Sequence, residues 1–434
     1  MSYPTPPLRP NRIWEPWSPN HTSQRVEPPR ASDCVDYDLI TSPANLVEVC
    51  KWLRAKKSDA PGPDGIRLSQ LTNQEIWALM HALSQVLRDG SYRPGEAREV
   101  AVPKRKGGFR TIRIRGLFDR IVSAALYFAL DPVLDRNFRP MSHGSRRGHS
   151  SMTMLAMMHY TIQQTGHAWL LNADVYHAYD EVPRTLAINS FRPYITSPRL
   201  MSLIEVVLRG DGAQLIGIDQ GGAFSPLVFN NTMNTLFDFW ISPHAPPLAY
   251  RYLDNLVAHC ASERETRLRI RDFTRALRNG HLRIKDPTVD DPITVDLRST
   301  STVLLGFALS LRGNELHLSV PEPMWADLDD DLREAFSKRS SPTVSAMQLC
   351  RSWCDYFGPG LPDPDAAVHR IVALLRSYGV RDGIPRDKLY AAIHQSRQAW
   401  VDSLEHTATS FSGGAPVMQP SELHLSGPLM PAPF

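Results

Sequence analysis

The sequence predicts an α+β fold, and three observations carry that prediction. From Tyr250 to Ala261, apolar residues lead into the polar pair Asp254-Asn255 and apolar residues lead out, the pattern of a β-hairpin turning at that pair. Upstream, Leu170-Leu171-Asn172-Ala173-Asp174-Val175 reads as a second strand that carries a carboxylate. On both sides of these strands lie long stretches in which Leu, Val, Ile and Trp recur in threes and fours, the period of a helix with one buried face. There is no internal repeat.

Residues 1–30 hold eight prolines together with Trp14 and Trp17, a composition that excludes a regular helix and predicts an extended arm. Residues 44–57 and 73–89 have helical spacing, and Gly62, Gly65 and two prolines break the chain between them. Residues 98–115 predict a β-hairpin turning at Gly107-Gly108. Residues 117–137 predict a helix with the apolar stripe Leu117, Ile121, Ala124, Ala125, Phe128 and Leu134. Residues 148–165 predict another, whose Met152, Met154, Met157 and Met158 read as core filler. After the carboxylate hairpin come a helix near 263–279 and closing strands. Residues 323–406 read as all-helical. From Ser410 to the end, five prolines and three glycines without a period predict a disordered tail.

A chain of 434 residues has room for two or three subdomains and a sizeable core. Its formal charge of +3 excludes a basic arm as the whole molecule. The charge is local: Arg93, Arg98, Lys104, Arg105, Lys106, Arg110, Arg113, Arg115 and Arg120 face only Glu96, Glu99 and Asp119 in that stretch, a patch suited to a polyanion. The five cysteines form no Cys-x-x-Cys pair; Cys350 and Cys354 would share a helix face, and reduced core thiols are the expectation rather than a zinc site. The longest apolar run, Ile121 to Leu130, is too short to span a bilayer, and the N-terminus has no apolar signal region. A soluble, cytoplasmic protein without a membrane partner is expected.

Eight short segments in order give the chain a likeness. Tyr252-Leu253-Asp254-Asn255, Asp174 to Asp180 with Tyr179, and Gln220-Gly221 with Ser225-Pro226 resemble the Tyr-x-Asp-Asp, Asp-x-x-x-x-aromatic-Asp and Gln-Gly-x-x-x-Ser-Pro blocks of the reverse transcriptases, in particular the bacterial group II intron-like branch. Ala60 to Ile66, Val102-Pro103-Lys104 with Gly107 to Arg110, Asp119 to Val122, His143 to Arg146, and Leu304 to Phe307 are similar to further blocks of that family. The likeness covers roughly residues 45–320, with a weaker thumb-like stretch beyond. It implies a right-hand polymerase: a Pro-rich arm over 1–44, fingers over 45–166, a palm with an antiparallel sheet over 167–320, a helical thumb over 321–408 and a disordered tail over 409–434. It implies an RNA-directed DNA polymerase acting on an RNA template, a DNA or RNA primer and deoxynucleotides. The alternatives within its reach are an intron maturase and a catalytically silent RNA-binding subunit of a defence system. There is no Cys/His-rich endonuclease module after the thumb.

The resemblance also assigns roles. Asp174 and Asp254, with the backbone carbonyl of Val175, are the implied ligands of paired Mg²⁺ ions, with Mn²⁺ as the alternative. Tyr179 is the implied steric filter against a 2′-hydroxyl. Gln220 touches the nucleotide, Lys104 and Arg110 hold its triphosphate, and Lys285 is placed to protonate departing pyrophosphate. Two departures stand out. Asn255 occupies a place where most relatives have a second Asp, so an altered metal preference is expected. Asp219 occupies a place usually held by Pro, and puts an extra negative charge near the triphosphate.

Overall fold

The computed structural model describes residues 35–56, 59–103, 108–210, 215–241, 248–285, 294–338 and 341–412. The expected N-terminal arm up to residue 34, Lys104 with the rest of 104–107, and the tail from 413 onward lie outside the described residues.

Helices α1 (Pro43–Ala55) and α2 (Asn73–Arg88) start at the side-chain caps Ser42 and Thr72. At Thr72 the cap is reciprocal: its hydroxyl accepts from the Glu75 amide while the Glu75 carboxylate accepts from the Thr72 amide. A helical turn at Tyr37–Ile40, within the stretch expected to be an arm, ties onto α2 through Tyr37 Oη donating to the Leu87 carbonyl at 2.6 Å. Strands β1 (Ala97–Pro103) and β2 (Phe109–Arg115) form an antiparallel hairpin. They lead into α3 (Leu117–Asp135) and α4 (Ser151–Thr165). All six residues of the expected α3 stripe are buried, and Met154 and Met158 of α4 are fully buried.

The central sheet has the order β4-β5-β3-β6, from β3 (Trp169–Asp174), β4 (Ala249–Tyr252), β5 (Asn255–Cys260) and β6 (Thr294–Asp296), all antiparallel. Its connections include α5 (Pro198–Arg209), α6 (Ser225–Met233) and α7 (Glu263–Arg278). Side chains alternate across a strand, and the two faces have different partners. Leu171, Ala173, Leu256, Ala258 and Cys260 pack with Phe273, Ala276 and Leu277 of α7 and with α3 and α6. Leu170, Tyr250 and Val257 point the other way, against Met154, Leu155, Met158 and Ile162 of α4. Asp174 has the parity of Leu170, so it opens on the face opposite α7.

A three-stranded sheet, β7 (Thr302–Leu304), β8 (Phe307–Arg312) and β9 (Glu315–Ser319), joins the α4 side of this core. Its first turn uses Leu305 and Gly306 with φ of 50° and 84°, the left-handed pair that a two-residue hairpin needs. Helices α8 (Glu322–Lys338), α9 (Pro342–Phe357), α10 (Pro364–Ser377) and α11 (Arg386–Ser412) close a separate core. Cys350 and Cys354 lie inside it as free thiols, and burial pushes both up to about 12. Helix α11 returns to α4, where Phe411 stacks on Tyr160 at 5.3 Å. The architecture is α+β, with the central antiparallel sheet between a hairpin-and-helix region and a helical region, as a right-hand polymerase requires.

Candidate active site at the β4–β5 turn

The carboxylate hairpin forms, but its turn is not at Asp254-Asn255. Asn255 pairs with Tyr252 on β4 and with Asp174 on β3, so the sheet claims it as the first residue of β5. The two turn residues are Leu253 and Asp254. Leu253 has φ of 54°, a left-handed conformation that a branched apolar residue rarely adopts. Two contacts hold it there. Gly144 lies so close that a Cβ would sit 2.6 Å from the Leu253 amide nitrogen, so only glycine fits. The Leu253 carbonyl also accepts from Arg251 at 3.2 Å.

Arg251 is the foundation of this turn, and sequence reasoning missed it. It is fully buried behind β4. Its guanidinium donates twice to Asp238, both at 2.7 Å, once to the Asn230 amide oxygen at 2.7 Å and once to Ser142 Oγ at 2.7 Å. Asp238 is presented by a π-helical turn over Asn234–Asp238 that extends α6. Its backbone joins the same block, since the Arg251 carbonyl accepts from His143 and its amide donates to Met141. The signals were present: a charge inside the apolar run Ala-Tyr-Arg-Tyr, and Asn230-Asn231 inside an apolar helix.

Asp174 and Asp254 come together across β3 and the turn. The Val175 amide donates to the Asp254 carbonyl at 2.9 Å, locking the peptide after Asp174 to the hairpin tip. Burial, and then the negative charge of Asp174, hold the Asp254 carboxyl above the usual carboxylate range; Lys285 and Arg110 oppose the shift. Lys285 Nζ donates to Asp174 Oδ2 at 2.7 Å, and its backbone amide donates to the Asp174 carbonyl. Among the described residues no group of three or more His, Cys, Asp and Glu gathers. The donor set here is two carboxylates and backbone carbonyls, hard oxygens of the kind Mg²⁺ prefers. Asn255 Nδ2 points back to the Tyr252 carbonyl at 3.4 Å.

The remaining predicted residues surround this pair. Tyr179 stacks on Phe229 with ring centroids 5.1 Å apart, and burial and then the charge of Asp254 push its phenol up. Gln220 is half-buried, and its carbonyl accepts from the Arg113 amide of β2 at 3.2 Å. Asp219 does not add a free negative charge. Arg115 of β2 binds it through Nε at 2.6 Å and Nη2 at 3.2 Å, so the charge is paired and ties the Gln220 loop to the hairpin. Arg110 is exposed, and its charge reaches both Asp254 and Tyr179. Part of the basic stretch is internal: Arg98 donates to the Pro61 carbonyl, and Arg113 pairs with Glu99 at 3.1 Å.

Residues 102–287 match the profile of a family described as reverse transcriptase (RNA-dependent DNA polymerase). Protein YkfC of Escherichia coli (strain K12) is 30% identical over 211 residues, which are 45% of this chain and 54% of that protein. The group II intron-encoded protein LtrA of Lactococcus lactis subsp. cremoris is 26% identical over 165 residues, 36% of this chain and 27% of that protein. The chain spans about half the length of the first and about a quarter of the second. A solved Sicinivirus 3Dpol RNA dependent RNA polymerase aligns with a TM-score of 0.47 at 11% identity, over 78% of this chain and 74% of that one.

Proposed function

We propose, from the match of residues 102–287 to the reverse transcriptase family model and the similarity to a group II intron-encoded protein, that this chain is an RNA-directed DNA polymerase adding deoxynucleotides to a primer on an RNA template. The observation that carries the reading is the meeting of Asp174 and Asp254, with the Asp254 carboxyl raised by desolvation and then by its neighbour's charge. An Asp254 carboxyl disfavoured in its charged form beside a second carboxylate makes a site short of positive charge, which suits divalent cations.

Asp174, Asp254 and the Val175 carbonyl would hold Mg²⁺, with Mn²⁺ as the alternative. Such ions, when bound, activate the primer hydroxyl and stabilise the departing pyrophosphate. The protein's own groups do the rest. Arg110, and Lys104 as the resemblance implies, neutralise the triphosphate. The pairing of Arg115 with Asp219 ties the Gln220 loop to the β1–β2 hairpin, so that Gln220 would contact the nucleotide. Tyr179, backed by Phe229, is rigid enough to meet a 2′-hydroxyl as a steric wall. Lys285, whose Nζ donates to Asp174, would protonate the leaving pyrophosphate. Template recognition rests on backbone and 2′-hydroxyl contacts, since an A-form duplex is read by shape.

Primer extension on an RNA template with Mg²⁺ or Mn²⁺ tests the reading. Asp174→Ala and Asp254→Ala should each reduce extension to background while the protein still folds; full extension by either variant sinks the assignment. A maturase is the second reading, favoured by the intron-encoded relative. A chain that never extends a primer, yet promotes splicing of an intron RNA, would establish it instead.

A further inference from the structure

We propose that the outer face of α7 is a second RNA-binding track, on the back of the palm and separate from the catalytic face. This rests on the RNA-directed reading above. At 100° per residue, Arg264, Arg271, Arg275 and Arg278 fall within a sector of about 60° and span roughly 21 Å of helix. All four are exposed. None of them pairs with a carboxylate among the described residues. The three carboxylates of the helix lie outside the sector: Glu263 bonds Arg267 at 2.5 Å, Glu265 accepts from the Ala261 amide and lies 4.0 Å from Arg269, and Asp272 is half-buried.

The opposite side of α7 is fixed by Phe273, Ala276 and Leu277 against the sheet. The arginine stripe therefore faces outward, on the side of the sheet away from Asp174. Its direction is also set. The helix follows β5 away from the hairpin tip and runs back toward it, and the chain then reaches Arg283 and Lys285 beside Tyr176 and Asp174. The stripe thus leads from the catalytic edge down the rear of the palm. Arginines three and four apart repel on a helix, so this arrangement weakens α7 unless an anion covers it. The choice of Arg throughout, with no Lys in the helix, suits bidentate phosphate contact. In a chain of net charge +3 this is a local feature with polyanion chemistry, and a phosphate backbone supplies that partner at the matching length.

The test uses the full chain, a 30-base-pair RNA duplex with no nucleotides present, and a salt series. The quadruple variant Arg264→Gln, Arg271→Gln, Arg275→Gln, Arg278→Gln should bind at least tenfold more weakly at low salt. Its slope of log affinity against log salt should fall by about 3, since each phosphate contact contributes about 0.7–0.9. The matching Lys quadruple keeps the charge and should keep the slope, and a melting midpoint for the Gln variant at or above that of wild type excludes misfolding as the cause. Extension of a short primer–template should stay at the wild-type rate. A Gln variant with the wild-type slope overturns the proposal. So does one that keeps RNA affinity but loses binding to anionic phospholipid vesicles. If the slope falls while no form of the protein extends a primer, the polymerase reading fails and the track stands; if extension is normal and the slope unchanged, the track fails alone.

Discussion

Two charged arrangements, one fully buried and one half-buried, share the β4–β5 hairpin and are treated in opposite ways. Behind the sheet, Arg251 and Asp238 are both fully buried, and every side of the guanidinium meets an acceptor. A few residues on, Asp254 is half-buried with a carboxyl held above its usual range by desolvation and by another carboxylate, opposed by a backbone hydrogen bond and by the charges of Lys285 and Arg110. The first arrangement is electrostatically complete and fixes geometry. The second is left short of positive charge. A fold that can satisfy a buried arginine five times over does not leave its neighbour deficient for lack of means. The deficit is what a cation-binding site is, and the satisfied pair beneath it keeps the strained Leu253 turn in place.

The largest effect is expected where the complete arrangement is broken. Asp238→Ala strands a buried guanidinium and should destabilise the protein by about 3–5 kcal/mol, read by denaturant unfolding. The double replacement Arg251→Met with Asp238→Leu should cost less than Asp238→Ala alone, because no charge is left unpaired. A single variant with wild-type stability would break the comparison at its root.

Asp254→Asn should do the reverse. Extension should fall to background, while the metal-free protein melts higher than wild type near neutral pH because an unfavourable half-buried charge is gone. The sign follows from the direction of the shift. A carboxyl raised in the fold contributes stability fully present below its unfolded pKa and lost as pH rises through its folded pKa. Wild type in EDTA should therefore lose stability over that rise, and Asp254→Asn should lose less. Melting midpoints across pH would show it; parallel curves for the two proteins would mean that Asp254 is not strained.

Most of the fold was legible because helix and strand periods survive burial: the α3 stripe, the α4 methionines and the strands of the central sheet follow from spacing alone. The site was legible as residue types, not as geometry. Nothing in the chain says that Asp174 faces Asp254, 80 positions on; the pairing of Asp174 with Asn255 does that. The turn was misread by one residue because Asp and Asn both favour turns, whereas Leu253 gives no such signal and is held in place by Gly144. Asp219 looked like a free charge because its partner, Arg115, lies 104 residues away on another hairpin.

Tyr179→Ala is expected to have a moderate effect. The ring is wedged between Phe229 and the field of Asp254, so its loss should open space at the sugar without removing a ligand. Ribonucleotide incorporation relative to deoxynucleotide should rise by one to two orders of magnitude, on the order of 1–3 kcal/mol of lost discrimination. An unchanged ratio would make Tyr179 part of the core and nothing more.

The smallest change tests the deficit itself. Asn255 stands in register with Asp174 and Tyr252, and its amide turns back to the Tyr252 carbonyl rather than into the carboxylate pair. Asn255→Asp adds a third negative charge at the edge of the site without disturbing the ladder, which uses only the backbone. Without metal, that charge adds to the repulsion that already raises Asp254, so the melting midpoint in EDTA should drop slightly. With metal, the same charge strengthens attraction for a divalent cation, and the half-saturating Mg²⁺ concentration for extension should fall, with a shift of preference from Mn²⁺ toward Mg²⁺. The two readouts must move in opposite directions. A variant that lowers the midpoint yet leaves the Mg²⁺ titration unchanged would place residue 255 outside the reach of the ions, and the incomplete arrangement would then consist of Asp174 and Asp254 alone.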